Sequence, residues 1–556
     1  MKKILAIVLS FVMIFGFCSV AFAADQELSL TVVTDVHHSV AYTAAPITGS
    51  TEEDPFGYTV SNGKMAAESA AIVDEFLKQA AANDSRYVIV TGDISDTGSP
   101  EDAAAIAAKL EAFEQSSGKT VLCVIGNHDL IRGTAAQFKE AYANLGYDKA
   151  LTVDDASASY TADLDGTYRL IAIDTNNVDQ ALVDWIAAQA EQAKADGKKL
   201  ISVTHFSLFS HYAVQQLVHT SIIDKQWNLP DKFIEWGVKF NFSGHTHELD
   251  IGEYTNKSGV VYDVASGALT TYPACYRTAV FGKEGVKIDT KYIEKVDSSL
   301  VPEGLAPAAQ SLLENDFRAY AKKMFTEGSY RQLTTFITPA YVKAVAKLDA
   351  EKDADIIALL DTVIPRLAEA LAMPLYASAA EEGEEAAASL EAIAEQYGFV
   401  IPETEYKNML EIGSEIYAAH CAGDENYPVY STVGQAAFNG LGAALNYALA
   451  PLSKEDYNKL IDWALAKVTL PFAIPEGLKE TAAESVSVSD GIEYLLLYAV
   501  SPIVNDFTKD PAPSDVTITL PNYGYEENTA LSLLKKFRVF FEMLLAFLHA
   551  LFSFLY

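Results

Sequence analysis

Cysteine, tryptophan and basic side chains are all scarce in this chain of 556 residues. Of its four cysteines, Cys18 falls in a leader expected to be removed, leaving Cys123, Cys275 and Cys421. An odd number cannot pair completely. Cys123 lies inside an apolar run and reads as a buried thiol, while a Cys275–Cys421 bridge stays open for an exported protein. Positive charge is short as well: 40 Lys and Arg face 75 Asp and Glu. Loss of Lys2 and Lys3 with the leader leaves 38 basic against 75 acidic residues, a net charge of −37. Such a surface repels polyanions and argues against a nucleic-acid polymer as partner, but not against a small phosphorylated substrate at a local cation site. No repeat of fixed period is evident.

Half of the residues are hydrophobic, so most of the chain is expected to fold, and its length points to more than one core. Residues 1–23 have the form of a secretory signal. Lys2 and Lys3 precede the apolar stretch Ile4 to Val20, and Ala21-Phe22-Ala23 offers a cleavage site before Ala24. An uncleaved anchor is the alternative. The expected location is outside the cell, free or surface-associated.

From 24 to 297, strand-like runs alternate with Ala-rich helical stretches at Met65 to Ala82, Glu101 to Gln115 and Asp179 to Ala195, with Pro100 suited to a helix start. Two loops stand out, 39–63 and 206–230, the second carrying His211, Tyr212, His219 and Trp227. Loops of this length beside a functional edge usually cover substrate. From 298 to 506 the strand signals vanish and an all-helical domain is expected. Residues 507–530 read as a linker with a short β-like run, VTITL.

The tail, 531–556, is rich in large apolar residues, yet Arg538, Glu542, His549 and Ser553 share one helical face. Its longest charge-free run, Met543 to Tyr556, has 14 residues. A membrane span needs about 20. The tail therefore reads as an amphipathic helix that lies on a membrane or envelope surface, packs on a partner, or folds back on its own helical domain.

The chemistry is concentrated in five short blocks: Asp35-Val36-His37, Gly92-Asp93, Gly126-Asn127-His128-Asp129, His205 and Gly244-His245-Thr246-His247. Each follows an apolar, β-branched run (LSLTVVT, RYVIVT, KTVLCVI, KLISVT, VKFNFS). Ligands at the carboxyl ends of strands in one sheet can converge on a single crevice, however far apart they lie in sequence. Eight of the ten histidines fall between His37 and His247, five of them inside these blocks.

Over about residues 28–295 the pattern resembles the calcineurin-like metallophosphoesterase superfamily, particularly its cyclic-nucleotide phosphodiesterase and purple-acid-phosphatase-like members. The resemblance implies an α/β two-sheet sandwich flanked by helices, here followed by an all-helical C-terminal domain. It implies two divalent or trivalent transition-metal ions, drawn from Fe, Mn, Zn or Co, for which mixed His, carboxylate and amide donors are suited. Asp35, His37 and His247 would hold one ion, Asn127, His205 and His245 the other, with Asp93 bridging. Two such ions clamp a phosphate and lower the pKa of a bound water, generating the attacking hydroxide. His128 would contact the phosphate or protonate the leaving oxygen, Asn127 would also touch substrate, and Asp129 would either orient the His128 imidazole or cap a helix.

His38 is expected to be structural, and Asp174-Thr175 a hydrogen-bonding support. Phe206-Ser207 replaces the His-Pro common in the family. The function implied is a secreted binuclear-metal phosphoesterase acting on mono- or diesters. A non-catalytic scaffold that keeps the fold is the alternative, against which stands the presence of all seven ligand positions.

Overall fold

The computed structural model describes residues 27–60, 63–211, 223, 227–282, 285–377, 388–423, 431–467 and 516–519. The expected leader, the tail 531–556 and His219 lie outside these. In chain order the strands are β1 (Leu28–Val33), β2 (Tyr87–Thr91), β3 (Thr120–Val124), β4 (Thr152–Val153), β5 (Tyr160–Asp163), β6 (Tyr168–Ile173) and β7 (Lys199–Thr204). There follow β8 (Phe240–Ser243), β9 (Asp250–Asn256), β10 (Gly259–Ala265), β11 (Cys275–Phe281), β12 (Gly285–Tyr292) and β13 (Val516–Thr519).

They form two mixed sheets, ordered β13-β12-β11-β1-β2-β3 and β4-β5-β6-β7-β8-β10-β9. Within the first, β1, β2 and β3 are parallel, with Val32 opposite Ile89 and Ile89 opposite Leu122. Within the second, β6, β7, β8 and β10 are parallel. The strands that precede the five blocks are thus parallel neighbours, β1-β2-β3 forming one side of the first sheet and β7-β8 lying in the middle of the second.

Alternation along each strand sets the layers. Leu28, Leu30 and Val32 of β1, Ile89 of β2 and Leu122 and Val124 of β3 face the second sheet, meeting Leu170, Val203, Phe240, Phe242 and Val264 in the central core. Val33, Val88, Val90, Val121 and Cys123 face the other way, against Ile72 and Phe76 of the helix Ser69–Ala82 and Ile106 and Leu110 of the helix Pro100–Ser117. That second helix has the expected start. Pro100 opens it, the Ser99 hydroxyl accepts from the Asp102 amide at 3.1 Å, and Gly118 closes it in a left-handed conformation. Ile171 and Ile173 pack outward on Val183 and Ile186 of the helix Gln180–Ala195.

Beyond Ser298 the described residues are helical up to Lys467. The change of core does not coincide with the boundary expected at 297/298. Leu313, Phe317, Tyr320 and Met324 belong to the core beneath the first sheet, and a separate helical core is built from Ile337 onward around Leu360, Ile364, Leu410 and Leu445. The reason is that the helix Phe317–Phe336 spans both, giving its first half to one core and leading into the other. The segment expected as a linker also departs from expectation, since β13 pairs antiparallel with β12, Val516 opposite Ile288. Cys275 and Cys421 are buried free thiols, so the disulfide left open by the sequence is not formed.

Candidate metal centre

Because β1, β2 and β3 run parallel in one sheet and β7 and β8 in the other, the residues just past their ends meet at one edge. Backbone hydrogen bonds stitch the blocks together there: Asp35 N to Gly92 O (3.2 Å), His37 N to Asp93 O (2.9 Å) and Gly244 N to His205 O (3.0 Å). Asp35, His37, Asp93, His245 and His247 all adopt left-handed φ, between 43° and 69°. For non-glycine residues such conformations cost on the order of 1–3 kcal/mol each, and they persist only where the surroundings impose them. Their concentration at five of the seven expected ligands shows that the strand ends are turned sharply to bring side chains inward.

Glycine is required where blocks touch. A Cβ at Gly92, itself at φ 100°, would lie 2.4 Å from His205 Nδ1, and one at Gly244 would lie 1.8 Å from Thr34 Oγ1.

The side chains close on one point. His37 Nε2 lies 3.3 Å from His247 Nε2. Asp35 Oδ1 is 3.2 Å from His247 Nε2 and 3.7 Å from His37 Nε2, while its Oδ2 accepts from the Thr34 hydroxyl (2.7 Å) and the His245 amide (2.9 Å). Asp93 stands between the two groups. Its Oδ2 is 3.3 Å from His205 Nε2 and 3.8 Å from His37 Nε2, and its Oδ1 accepts from the His128 amide at 2.7 Å. His205 donates from Nδ1 to Thr91 O (2.9 Å), which fixes the tautomer and leaves Nε2 facing Asn127 Oδ1 at 3.0 Å. The His245 ring lies 5.1 Å from that of His205. Among the described residues three sets of ligand atoms each lie within 4.8 Å of one another: Asp35/His37/His247, Asp93/His205/His245 and, joining them, His37/Asp93/His128. All seven positions are brought together.

This donor set fits metal ions. At 3.3 Å the two imidazole nitrogens can share one proton between them or offer their lone pairs to a cation, and buried Asp35 Oδ1 beside them has no aligned hydrogen-bond donor. The carboxylates also bias the protonation of the neighbouring imidazoles. Burial opposes a charge on His205, yet adjacent Asp93 raises it to about 9, whereas burial and the neighbouring His205 push His245 down to about 3. Metal binding at such a site displaces protons.

His128 and Asn127 are the partly exposed members of the cluster and mark its open side. The His128 ring meets that of His37 edge to face at 4.6 Å, and its Nδ1 donates to the backbone carbonyl of Asp96 at 2.7 Å. Burial, then His37, lower its pKa to about 4. The expectation that Asp129 orients this imidazole is not met. The Asp129 carboxylate accepts from the amides of Ile94, Ser95 and Gly126 and from the Ser95 hydroxyl, tying the two ligand loops together away from His128. Burial and nearby Asp93 raise its pKa to about 6.

His38 bonds Ser69 Oγ at 3.3 Å, away from the centre, as expected. Asp174 accepts from the Ala158 and Asn176 amides, and Thr175 Oγ1 from the Phe206 amide, so both are supports. Phe206, in place of the common His-Pro, lays its ring 4.2 Å from that of His245. His211 is no pocket residue. It is buried, with Nδ1 on Asp250 Oδ2 (2.5 Å) and Nε2 on Asp263 Oδ2 (3.0 Å).

Sequence reasoning missed Asp96 and Lys64. Asp96 Oδ1 sits 3.3 Å from His37 Nδ1 and 2.7 Å from Lys64 Nζ. Burial works against ionisation of Asp96, yet His37 and Lys64 hold its carboxyl well below the usual carboxylate range. The available signal was Asp96 standing three residues past Asp93 in the same loop. Lys64, at the end of an irregular loop, offered none.

Two mixed sheets with a buried histidine–carboxylate centre at their carboxyl edge define a metal-dependent hydrolase of phosphate esters. Residues 28–249 match the family model of the calcineurin-like phosphoesterases. Among solved structures, a dimetal phosphatase from Danio rerio is 14% identical, with 47% of this chain and 95% of the other covered at a TM-score of 0.37. A purple acid phosphatase from yellow lupin (Lupinus luteus) seeds is 12% identical, covering 48% of this chain and 52% of the other at a TM-score of 0.33. No curated protein matches the chain.

Proposed function

We propose that the centre holds two metal ions and cleaves phosphoester bonds of a small phosphorylated substrate. Asp35, His37 and His247 bind one ion, Asn127, His205 and His245 the other, and Asp93 bridges. The observation that carries this reading is Asp93 Oδ2, 3.3 Å from a nitrogen of one set and 3.8 Å from a nitrogen of the other. Nitrogen and oxygen donors of this kind suit Fe, Mn, Zn or Co. When bound, such a pair neutralises phosphoryl oxygens and lowers the pKa of water at the reacting phosphorus.

The chain supplies the rest. Asn127 and His128, on the open side, meet the incoming phosphate. His128 keeps Nδ1 on the Asp96 carbonyl and so presents Nε2 to the leaving oxygen, which it assists with a proton. Buried strand ends keep bulk water from the ligands. The net charge of −35 favours a small substrate over a nucleic-acid polymer. Export through residues 1–23 and contact with a membrane or envelope through 531–556 are part of the same proposal, supported by their sequence patterns.

Metal analysis of the purified protein, followed by a screen of mono-, di- and pyrophosphate esters, tests it. Two equivalents of transition metal and ester hydrolysis abolished by chelation are expected. Stoichiometric metal without hydrolysis of any ester, or chelator-resistant turnover, would overturn it.

A further inference from the structure

We propose that Lys64 is a positioning residue for His128 and that the C-terminal helical region seats it. The proposal rests on the reading of His128 as the group that assists the leaving oxygen.

Lys64 Nζ lies 2.7 Å from Asp96 Oδ1, in a pair whose side chains are only 16% and 15% exposed. Asp96 governs His128 through its main-chain carbonyl, which accepts from Nδ1 at 2.7 Å. Its carboxylate has competing claims on the same oxygen, with His37 Nδ1 at 3.3 Å and His128 Nδ1 at 3.8 Å. The lysine settles that competition. A fixed cation on Oδ1 keeps the carboxylate from being drawn wholly toward His37, and so holds the carbonyl that orients the His128 ring. A half-buried charge pair keeps its geometry better than an exposed one, since water screens it less.

Lys64 is held from both sides along the chain. Met65 N donates to Thr270 O at 2.8 Å, and the Thr270 hydroxyl donates to Asp35 O at 3.3 Å. On the other side Gly63, at φ 61°, rests directly on the helix Phe317–Phe336. A Cβ at Gly63 would lie 2.3 Å from Phe325 Cα, and a Cβ at Gly328 would lie 2.5 Å from Gly63 N. This is a backbone-to-backbone contact with no side chain between.

Phe325 in turn packs on Ala418 and Cys421 of the helix Met409–Cys421. The end of that helix meets the last ligand block, where Leu249 N donates to Cys421 O at 3.2 Å and His420 Nε2 lies 3.2 Å from Glu248 Oε1. The helical region therefore touches the rim of the centre twice, at Gly63-Lys64 and at Glu248-Leu249.

The test uses the full metal-loaded chain, an alkyl phosphate ester with a poor leaving group and a nitrophenyl ester with a good one. Lys64→Met should slow the alkyl ester by about 10- to 100-fold, the scale of a misplaced catalytic group. It should leave metal content unchanged and the nitrophenyl ester nearly so, and Lys64→Arg should restore most of the alkyl-ester rate. Gly328→Ala, which pushes on Gly63, should shift the ratio of the two rates the same way; if that chain does not fold, Phe325→Ala, which loosens the packing of the same helix on Ala418 and Cys421, takes its place. Equal losses on both esters in Lys64→Met, or none, would overturn the role of Lys64, and wild-type ratios in the helix variants would overturn the seating. His128→Ala run alongside separates the two readings. If it discriminates between the esters and Lys64→Met does not, only the present proposal falls.

Discussion

Asp93 lies between the two proposed halves of the centre. Its Oδ2 faces His205 and His37, and its Oδ1 holds the backbone of His128. Asp93→Asn keeps the shape but removes the charge that separates two cations. We expect turnover to fall by at least ~10³-fold, comparable to loss of a major electrostatic group, with metal content falling too. Retained stoichiometry with near-normal hydrolysis, read by metal analysis and steady-state rates, would sink the bridging assignment. His128→Ala should instead keep the metals and slow esters of poor leaving groups by roughly 10²–10⁴-fold, sparing a nitrophenyl ester. At this scale the sequence was legible where chemistry restricts residue type, as in the seven expected ligand positions and His128, which the fold brings together at one edge. It was not legible where a contact depends on how a loop returns. Asp129 looked like the partner of His128 because it is next in sequence, but the short 3-10 turn His128–Leu130 points its carboxylate into the 93–96 loop, and the carbonyl of Asp96 takes the imidazole.

Elements were legible where period and caps agree, as in the helix Pro100–Ser117 and the alternating face of β1. They were not legible where pairing joins distant segments. Nothing local marks β13 as the partner of β12, since a four-residue β-branched run suits a loop as well as an edge strand. His211 illustrates the same limit. The loop after β7 is anchored to Asp250 of β9 and Asp263 of β10 through this buried imidazole, and to Asp263 also through the Leu208 amide. Burial opposes its charge, but Asp250 and Asp263 raise its pKa to about 10. A histidine pKa raised on folding contributes stability that is fully present below its unfolded value, about 6.5, and is lost as pH rises through the folded value. The melting temperature should therefore decline from about pH 6.5 to about pH 10. His211→Gln removes the buried cation between Asp250 and Asp263, at a cost of about 3–5 kcal/mol at neutral pH, and should flatten that decline. Thermal melts of both proteins across the range check this, and an unchanged slope in the variant would rule out His211 as its source.

At the scale of the whole molecule, the helical region is no independent appendage, because Phe317, Tyr320 and Met324 lie in the core beneath the first sheet and the chain returns at β13 to that sheet's edge. Two truncations should therefore behave differently. Wound as a helix, the sequence 531–556 would set Arg538, Glu542, His549 and Ser553 opposite Phe540, Phe541, Leu544, Phe547, Leu548, Leu551 and Phe554. Burial of such a face in a bilayer surface is favourable by about 25 cal/mol per Å² of apolar area. Lys535, Lys536 and Arg538 would add about 1 kcal/mol each at anionic headgroups. Deletion of 531–556 should leave hydrolysis of a soluble ester intact and abolish sedimentation with anionic liposomes. Deletion of 507–556 removes β13 as well and uncovers the backbone groups of β12 from Gly285 to Ile288, an edge free to pair with another chain. That protein should aggregate at concentrations where the shorter deletion stays monodisperse by light scattering. If the shorter deletion already aggregates or loses soluble-ester turnover, the tail belongs to the folded core and the membrane reading is wrong.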